Sequence, residues 1–101
     1  ILNTPSLGTI VIDDGAVNAI LSDHKSLLPK GITEVNGLFL KGDVIDVENS
    51  KGEVIAKAIS NFSNSELLLI KGKDSKDIPD VVGKGHKVVF RPEDMVEYEQ
   101  L

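Results

Sequence analysis

The sequence predicts a mainly β fold with short helices, a small mixed barrel built by one domain. Short β-branched runs outnumber helical stretches, and turn signals follow one another closely. The chain's 101 residues, 41% of them hydrophobic, suffice for one modest core. About six or seven short strands and two or three short helices account for the pattern. No internal repeat, low-complexity stretch or second domain is visible.

Residues 1–8 carry Asn3, Pro5 and Ser6, show no period and read as a linker remnant. Thr9-Ile10-Val11-Ile12 is a β-branched run and reads as a strand. Ala16, Val17, Ile20 and Leu21 then fall at helical spacing, so a short helix is expected near Asp14 with an Asp as its cap. Ser22-Asp23-His24 ends it. Lys25 to Leu28 and Ile32 to Val35 read as strands on either side of Pro29-Lys30-Gly31.

Asn36-Gly37 is a turn signal, and Leu38-Phe39-Leu40 is apolar. Lys41-Gly42-Asp43 turns the chain into the strand Val44-Ile45-Asp46-Val47. Asn49-Ser50-Lys51-Gly52 supplies a hairpin turn. The next strand, from Val54 to Phe62, would place Val54, Ala56, Ala58 and Phe62 on one face.

Ser63 and Glu66 have the spacing of a capping box, in which the Ser hydroxyl accepts from the N3 amide and the Glu reaches back to the cap amide. Leu67, Leu68 and Ile70 give that helix an apolar side, and Gly72 stands where a glycine stops a helix. A further short helix is expected from Ser75 to Val82. Val88-Val89-Phe90 and Met95-Val96 read as terminal strands joined through Pro92-Glu93-Asp94.

Charge and composition bound the function. The formal net charge is −5, whereas counterion release on nucleic acid needs clustered Lys and Arg. Binding through a local patch is still open to an acidic domain. With no Trp, one Tyr and three Phe, the chain has about the aromatic content a small core uses by itself. The absence of cysteine excludes disulfides and thiolate metal sites and fits a reducing cytosol. No apolar run approaches the roughly 20 residues that cross a bilayer, so a cytoplasmic protein without a membrane partner is expected. The chain opens on Ile1 and its only methionine is Met95, which reads as an excised fragment.

Asp13-Asp14 could be a Mg²⁺ pair, but a strand end followed by a helix cap accounts for it better. His24 and His86 have no zinc-like spacing. Gly72-Lys73 and Gly83-Lys84 lack the remaining residues of a phosphate loop. Lys71, Lys73 and Lys76 are diluted by Asp74 and Asp77 and read as a solvated face. Lys25-Ser26 with Lys30-Gly31 has two readings. A lysine, a hydroxyl and a glycine that lets backbone approach closely could meet a phosphate, while the acidic total favours a solvated loop.

Val11-Ile12-Asp13-Asp14-Gly15-Ala16-Val17-Asn18-Ala19-Ile20-Leu21 is similar to the opening strand and helix of PUA domains. Lys25 to Ile32 resembles the segment that follows in the PUA domains of glutamate 5-kinases, and Phe39 to Val44 resembles their turn into the next strand. Ala56 to Leu67 matches those kinases almost position by position, and Ile70-Lys71-Gly72 and Ser75 continue the match. Ala58 stands where that family usually has Gly, and Phe90 where it usually has a His before Arg.

The resemblance implies a PUA-like pseudobarrel over residues 9–101 behind a linker remnant at 1–8. It implies a C-terminal accessory domain, structural, regulatory or RNA-binding, of an enzyme that phosphorylates the γ-carboxylate of glutamate. ATP and Mg²⁺ would belong to an upstream amino-acid-kinase domain of the same chain, with no cofactor and no catalytic residue in this part. RNA is a weak partner on this reading. Its candidate contacts are Lys25, Ser26, Lys30 and Gly31, with Lys41 and Arg91 as neighbours. The alternative is a PUA RNA-binding module of an RNA-modifying enzyme such as a pseudouridine synthase, and a third reading is a domain–domain or oligomer contact surface.

Overall fold

The computed structural model describes residues 5–73 and 89–97. Within them the chain runs β1 (Gly8–Ile12), α1 (Asp14–Leu21), a 3-10 turn (Pro29–Gly31), β2 (Ile32–Gly37), β3 (Val44–Glu48), β4 (Val54–Ile59), α2 (Asn64–Ile70), a second 3-10 turn (Pro92–Asp94) and β5 (Met95–Glu97). The strands make one five-stranded sheet in the order β2-β1-β3-β4-β5. β1 and β3 run parallel, and every other neighbouring pair is antiparallel. This is the mainly β architecture with short helices that the sequence predicts. The expected helix from Ser75 to Val82, the Gly83-Lys84 pair, His86, Lys76 and Val88 lie outside the described residues.

Two bulges decide which side chains reach the core. Ile10 stands opposite Val35, so an unbroken ladder would set Thr33 opposite Ile12 and turn Ile32 to the other face. The register instead shifts between Val11 and Ile12 and pairs Ile12 with Ile32, and both are buried. A second shift, between Val47 and Glu48, pairs Glu48 with Val54. It takes Val54 off the face of Ala56 and Ala58, both wholly buried, and leaves Val54 exposed.

Other expected boundaries also move. β1 begins at Gly8, and Ser6 and Leu7 are already tied to β3, through Ser6 Oγ to the Asp46 carboxylate (2.6 Å) and Leu7 N–H to the Val44 carbonyl (2.9 Å). β4 stops at Ile59 because the buried Ser60 turns the chain. Its hydroxyl donates to the Phe62 carbonyl and accepts from the Phe62 amide, and Phe62 enters the core from this turn.

Lys25 to Leu28 and Val89-Phe90 are not strands. They meet in a single antiparallel bridge between Leu27 and Phe90. Pro29 has no N–H to extend that ladder, and Leu28 before it is confined to extended backbone at the entry to the 3-10 turn. Phe90 is wholly buried.

Both helices carry the expected caps. The Asp13 carboxylate accepts from the Ala16 amide at 2.8 Å. Ser63 Oγ accepts from the Glu66 amide, and Glu66 accepts from the Ser63 amide at 2.9 Å. α2 buries Leu67 and Ile70, whereas Leu68 and Leu69 face solvent. Residues three apart share a helix face, and Leu68 lies off that face. The core joins Ile10, Ile12, Ile45, Val47, Ala56 and Ala58 of the sheet to Ile20, Leu27, Phe39, Phe62, Leu67, Ile70 and Phe90.

Candidate nucleic-acid interface

β1 delivers the chain into α1 at one end of the sheet, and the 3-10 turn delivers it into β2 at the same end. Asp13 N–H donates to the Gly31 carbonyl at 2.9 Å, closing this junction. α1 ends at Ser22. His24 takes a positive φ of 51°, and Lys25 N–H returns to the Ala19 carbonyl at 2.9 Å. The chain leaving the helix therefore folds back beneath it and passes Ser26 to the Leu27–Phe90 bridge.

A cleft of about 270 Å³ opens between these pieces. Ala16, Ala19, Leu27 and Leu28 form an apolar floor, and Asp13, Lys25, Ser26, Lys30 and Gly31 complete its lining. Four of the expected contacts, Lys25, Ser26, Lys30 and Gly31, thus come together on one cleft. The apolar floor was missed by sequence reasoning. Its signal was the pair of small residues Ala16 and Ala19, three apart on the helix face toward the turn.

The turn is held from several sides. Gly31 N–H donates to the Leu28 carbonyl at 3.1 Å, and Gly72 N–H at the end of α2 donates to the Pro29 carbonyl at 2.8 Å. Gly31 serves packing here. A Cβ built on it would lie 2.7 Å from the Ala16 Cβ, so its close approach is to α1, and its amide is already committed. Lys25 and Lys30 are exposed, and Ser26 is half-buried.

The other expected contacts are placed differently. Arg91 follows the bridged Phe90 and is not among the residues that line the cleft. Its guanidinium pairs with Glu93 at 3.4 Å and is largely exposed, an arrangement that adds little stability and neutralises part of its charge. Lys41 lies just before β3, and β1 runs parallel to β3, so Lys41 is at the opposite end of the sheet. It is not brought to the cleft.

The cleft can take a flat apolar group on its floor while an anion meets the lysines at its rim. The Asp13 carboxylate, held in place by the helix amide, would oppose a phosphate beside it. Asp14 accepts from Ser50 Oγ at 3.2 Å. Asp13 thus serves as a cap and Asp14 as a surface contact, and among the described residues no group of three or more His, Asp or Glu is placed to hold a metal ion. None of the described helices is long and apolar enough to cross a membrane.

The PUA domain family matches residues 8–82. Glutamate 5-kinase of Aliivibrio fischeri is 54% identical over 79 residues, which are 78% of this chain and 21% of that protein. Glutamate 5-kinase of Vibrio campbellii is 44% identical over 92% of this chain and 25% of its own length. The chain thus spans about a quarter of the length of these relatives and corresponds to their C-terminal portion. Among solved structures, a conserved PUA domain protein from Thermoplasma acidophilum matches 89% of this chain and 52% of its own, at 29% identity and a TM-score of 0.58. A chain of an archaeal box H/ACA sRNP complex matches 87% of this chain and 26% of its own, at 26% identity and a TM-score of 0.58.

Proposed function

The chain belongs to the PUA domain family, and from that premise we propose that it serves as the C-terminal accessory domain of a glutamate 5-kinase. The observation that carries this reading is the 54% identity to a glutamate 5-kinase across 78% of the chain. On this reading the domain runs over residues 9–101 and contributes structure or regulation. The enzyme phosphorylates the γ-carboxylate of glutamate with ATP and Mg²⁺, the first step of proline synthesis, in the cytoplasm. In support of placing ATP–Mg²⁺ chemistry elsewhere, the paired aspartates here already serve as a helix cap and a hydroxyl contact. That chemistry is assigned to an amino-acid-kinase domain preceding this one.

Glutamate-dependent ADP release by the full-length chain tests the proposal, with the 101-residue chain expected to give background only. A full-length chain that releases no ADP in response to glutamate overturns it.

RNA contact at the cleft is the second activity of the same reading. The paired lysines and half-buried Ser26 beside an apolar floor support it, and the net charge of −5 limits it. Contacts to phosphate would position RNA without reading its sequence. Affinity on the order of 10⁻⁴ to 10⁻⁶ M at physiological salt is expected. Titrating labelled tRNA-like and single-stranded RNA at two salt concentrations measures it. Lys25→Glu with Lys30→Glu is expected to abolish binding and its salt dependence. Submicromolar binding that survives this reversal rejects the surface. Submicromolar binding that the reversal abolishes favours the module of an RNA-modifying enzyme, a reading supported by the likeness to the sRNP chain.

A further inference from the structure

The end of the sheet remote from the cleft carries a second surface. β1 and β3 start there, and β2 and β4 finish there. Leu7 precedes β1 and is 54% exposed; Leu38 and Leu40 follow β2 and are 84% and 68% exposed; Ile59 closes β4 at 42%. Connecting loops are normally polar, and clustered apolar side chains in water mark a contact surface.

The loop is fixed in this posture. Phe39, between the two leucines, is buried, and its ring lies over Gly8. Its amide donates to Asn64 Oδ1 and its carbonyl accepts from the Asn64 amide, both at 3.0 Å. Leu40 N–H donates to the Asp43 carboxylate at 2.8 Å. With Phe39 anchored inward, its neighbours Leu38 and Leu40 are held outward.

The path of the chain identifies what covers this end. The Ser6–Asp46 and Leu7–Val44 hydrogen bonds lead residues 5–7 into β1 beside the leucines. A domain preceding this one therefore arrives at this end. The kinase relatives are about four times as long as this chain, which matches their C-terminal portion. Covalent linkage raises the effective concentration of such a neighbour, so a small apolar patch can seat it. Contacts of this kind within a chain bury roughly 600–1,500 Å².

We infer that the Leu7, Leu38, Leu40 and Ile59 end is the docking face for an apolar surface of the preceding domain. The inference rests on the reading of this chain as the C-terminal domain of a longer kinase.

Hydrogen–deuterium exchange on the full-length chain tests it. Leu38→Ser with Leu40→Ser is expected to speed exchange several-fold in at least one contiguous segment of the preceding domain, independently of protein concentration. Amides of β1 and β3 should keep their protection. Leu68→Ser with Leu69→Ser, exposed on α2, should leave the preceding domain unchanged. Unchanged exchange in the preceding domain of the Leu38/Leu40 variant overturns the inference. So does an effect that appears only with a concentration-dependent change in oligomeric state, which would assign the face to a second copy. If the double variant loosens β1 or β3, Leu7→Ser replaces it with the same outcomes. An upstream sequence without an amino-acid-kinase domain would defeat the functional reading separately, and the exchange comparison would still decide whether the face is covered.

Discussion

The two ends of the sheet are built alike and show different chemistry to their surroundings. At each, a glycine lets two pieces of chain touch where a methyl group does not fit. Gly8 lies under the Phe39 ring at the leucine end, and Gly31 lies against Ala16 at the cleft end. The leucine end holds its loop down with an aromatic ring and presents carbon. The cleft end holds its turn down with backbone hydrogen bonds and presents lysines and a hydroxyl beside a shallow floor. One sheet thus carries two independent surfaces, because close packing beneath each frees the side chains above it.

The largest expected effect breaks the leucine end. A Cβ on Gly8 would meet the Phe39 ring and stand 2.7 Å from the Asn36 carbonyl oxygen, which is backbone of a paired strand and cannot swing aside. Gly8→Ala is expected to cost about 3 kcal/mol, read as a shifted denaturation midpoint. Gly42 is the control. It has a positive φ of 96° with nothing within 4 Å, so Gly42→Ala should cost only about 1 kcal/mol for backbone strain.

Gly31→Ala at the cleft end should cost about 2 kcal/mol, since the clash is with a single methyl group that can be removed. Ala16→Gly in the same chain should recover part of that loss, and a double-mutant cycle showing simple additivity would deny the contact. Ser60→Ala leaves the Phe62 amide without its side-chain acceptor in a buried turn, and about 1–3 kcal/mol is expected. A small effect, about 1 kcal/mol like that of the Gly42 control, belongs to Ser63→Ala at the α2 cap, measured by chemical denaturation. A Ser63 variant costing more than the Gly8 variant would reverse the view that glycine contacts, rather than caps, hold the two ends.

Much of this was legible in the residues. Asp13 and Ser63 announce helices because a cap is a hydrogen bond within a few residues. Thr9 to Ile12 announces a strand through an unbroken β-branched run, and Val44 to Val47 through a run interrupted only by Asp46. Lys25, Ser26, Lys30 and Gly31 gather on the cleft because they are near in sequence around one turn. Lys41 does not join them because its position depends on strand direction, which its neighbours do not encode. The packing role of Gly31 was hidden for a similar reason. Its need for closeness was visible, but the partner is Ala16 in another element.

The sequence by itself determined the mainly β class, the caps, the turns and membership of the PUA family, since each rests on local chemistry or on the order of residues along the chain. Tertiary structure decided which faces are buried and what each end displays. Alternation predicts a side chain's face only along an unbroken ladder, and the bulges at Ile32 and Val54 exist only where a partner strand sets the register. Leu38 and Leu40 look like core residues in a linear reading. They stand in solvent because the buried Phe39 between them, pinned to Asn64 and Gly8, fixes which way the loop faces.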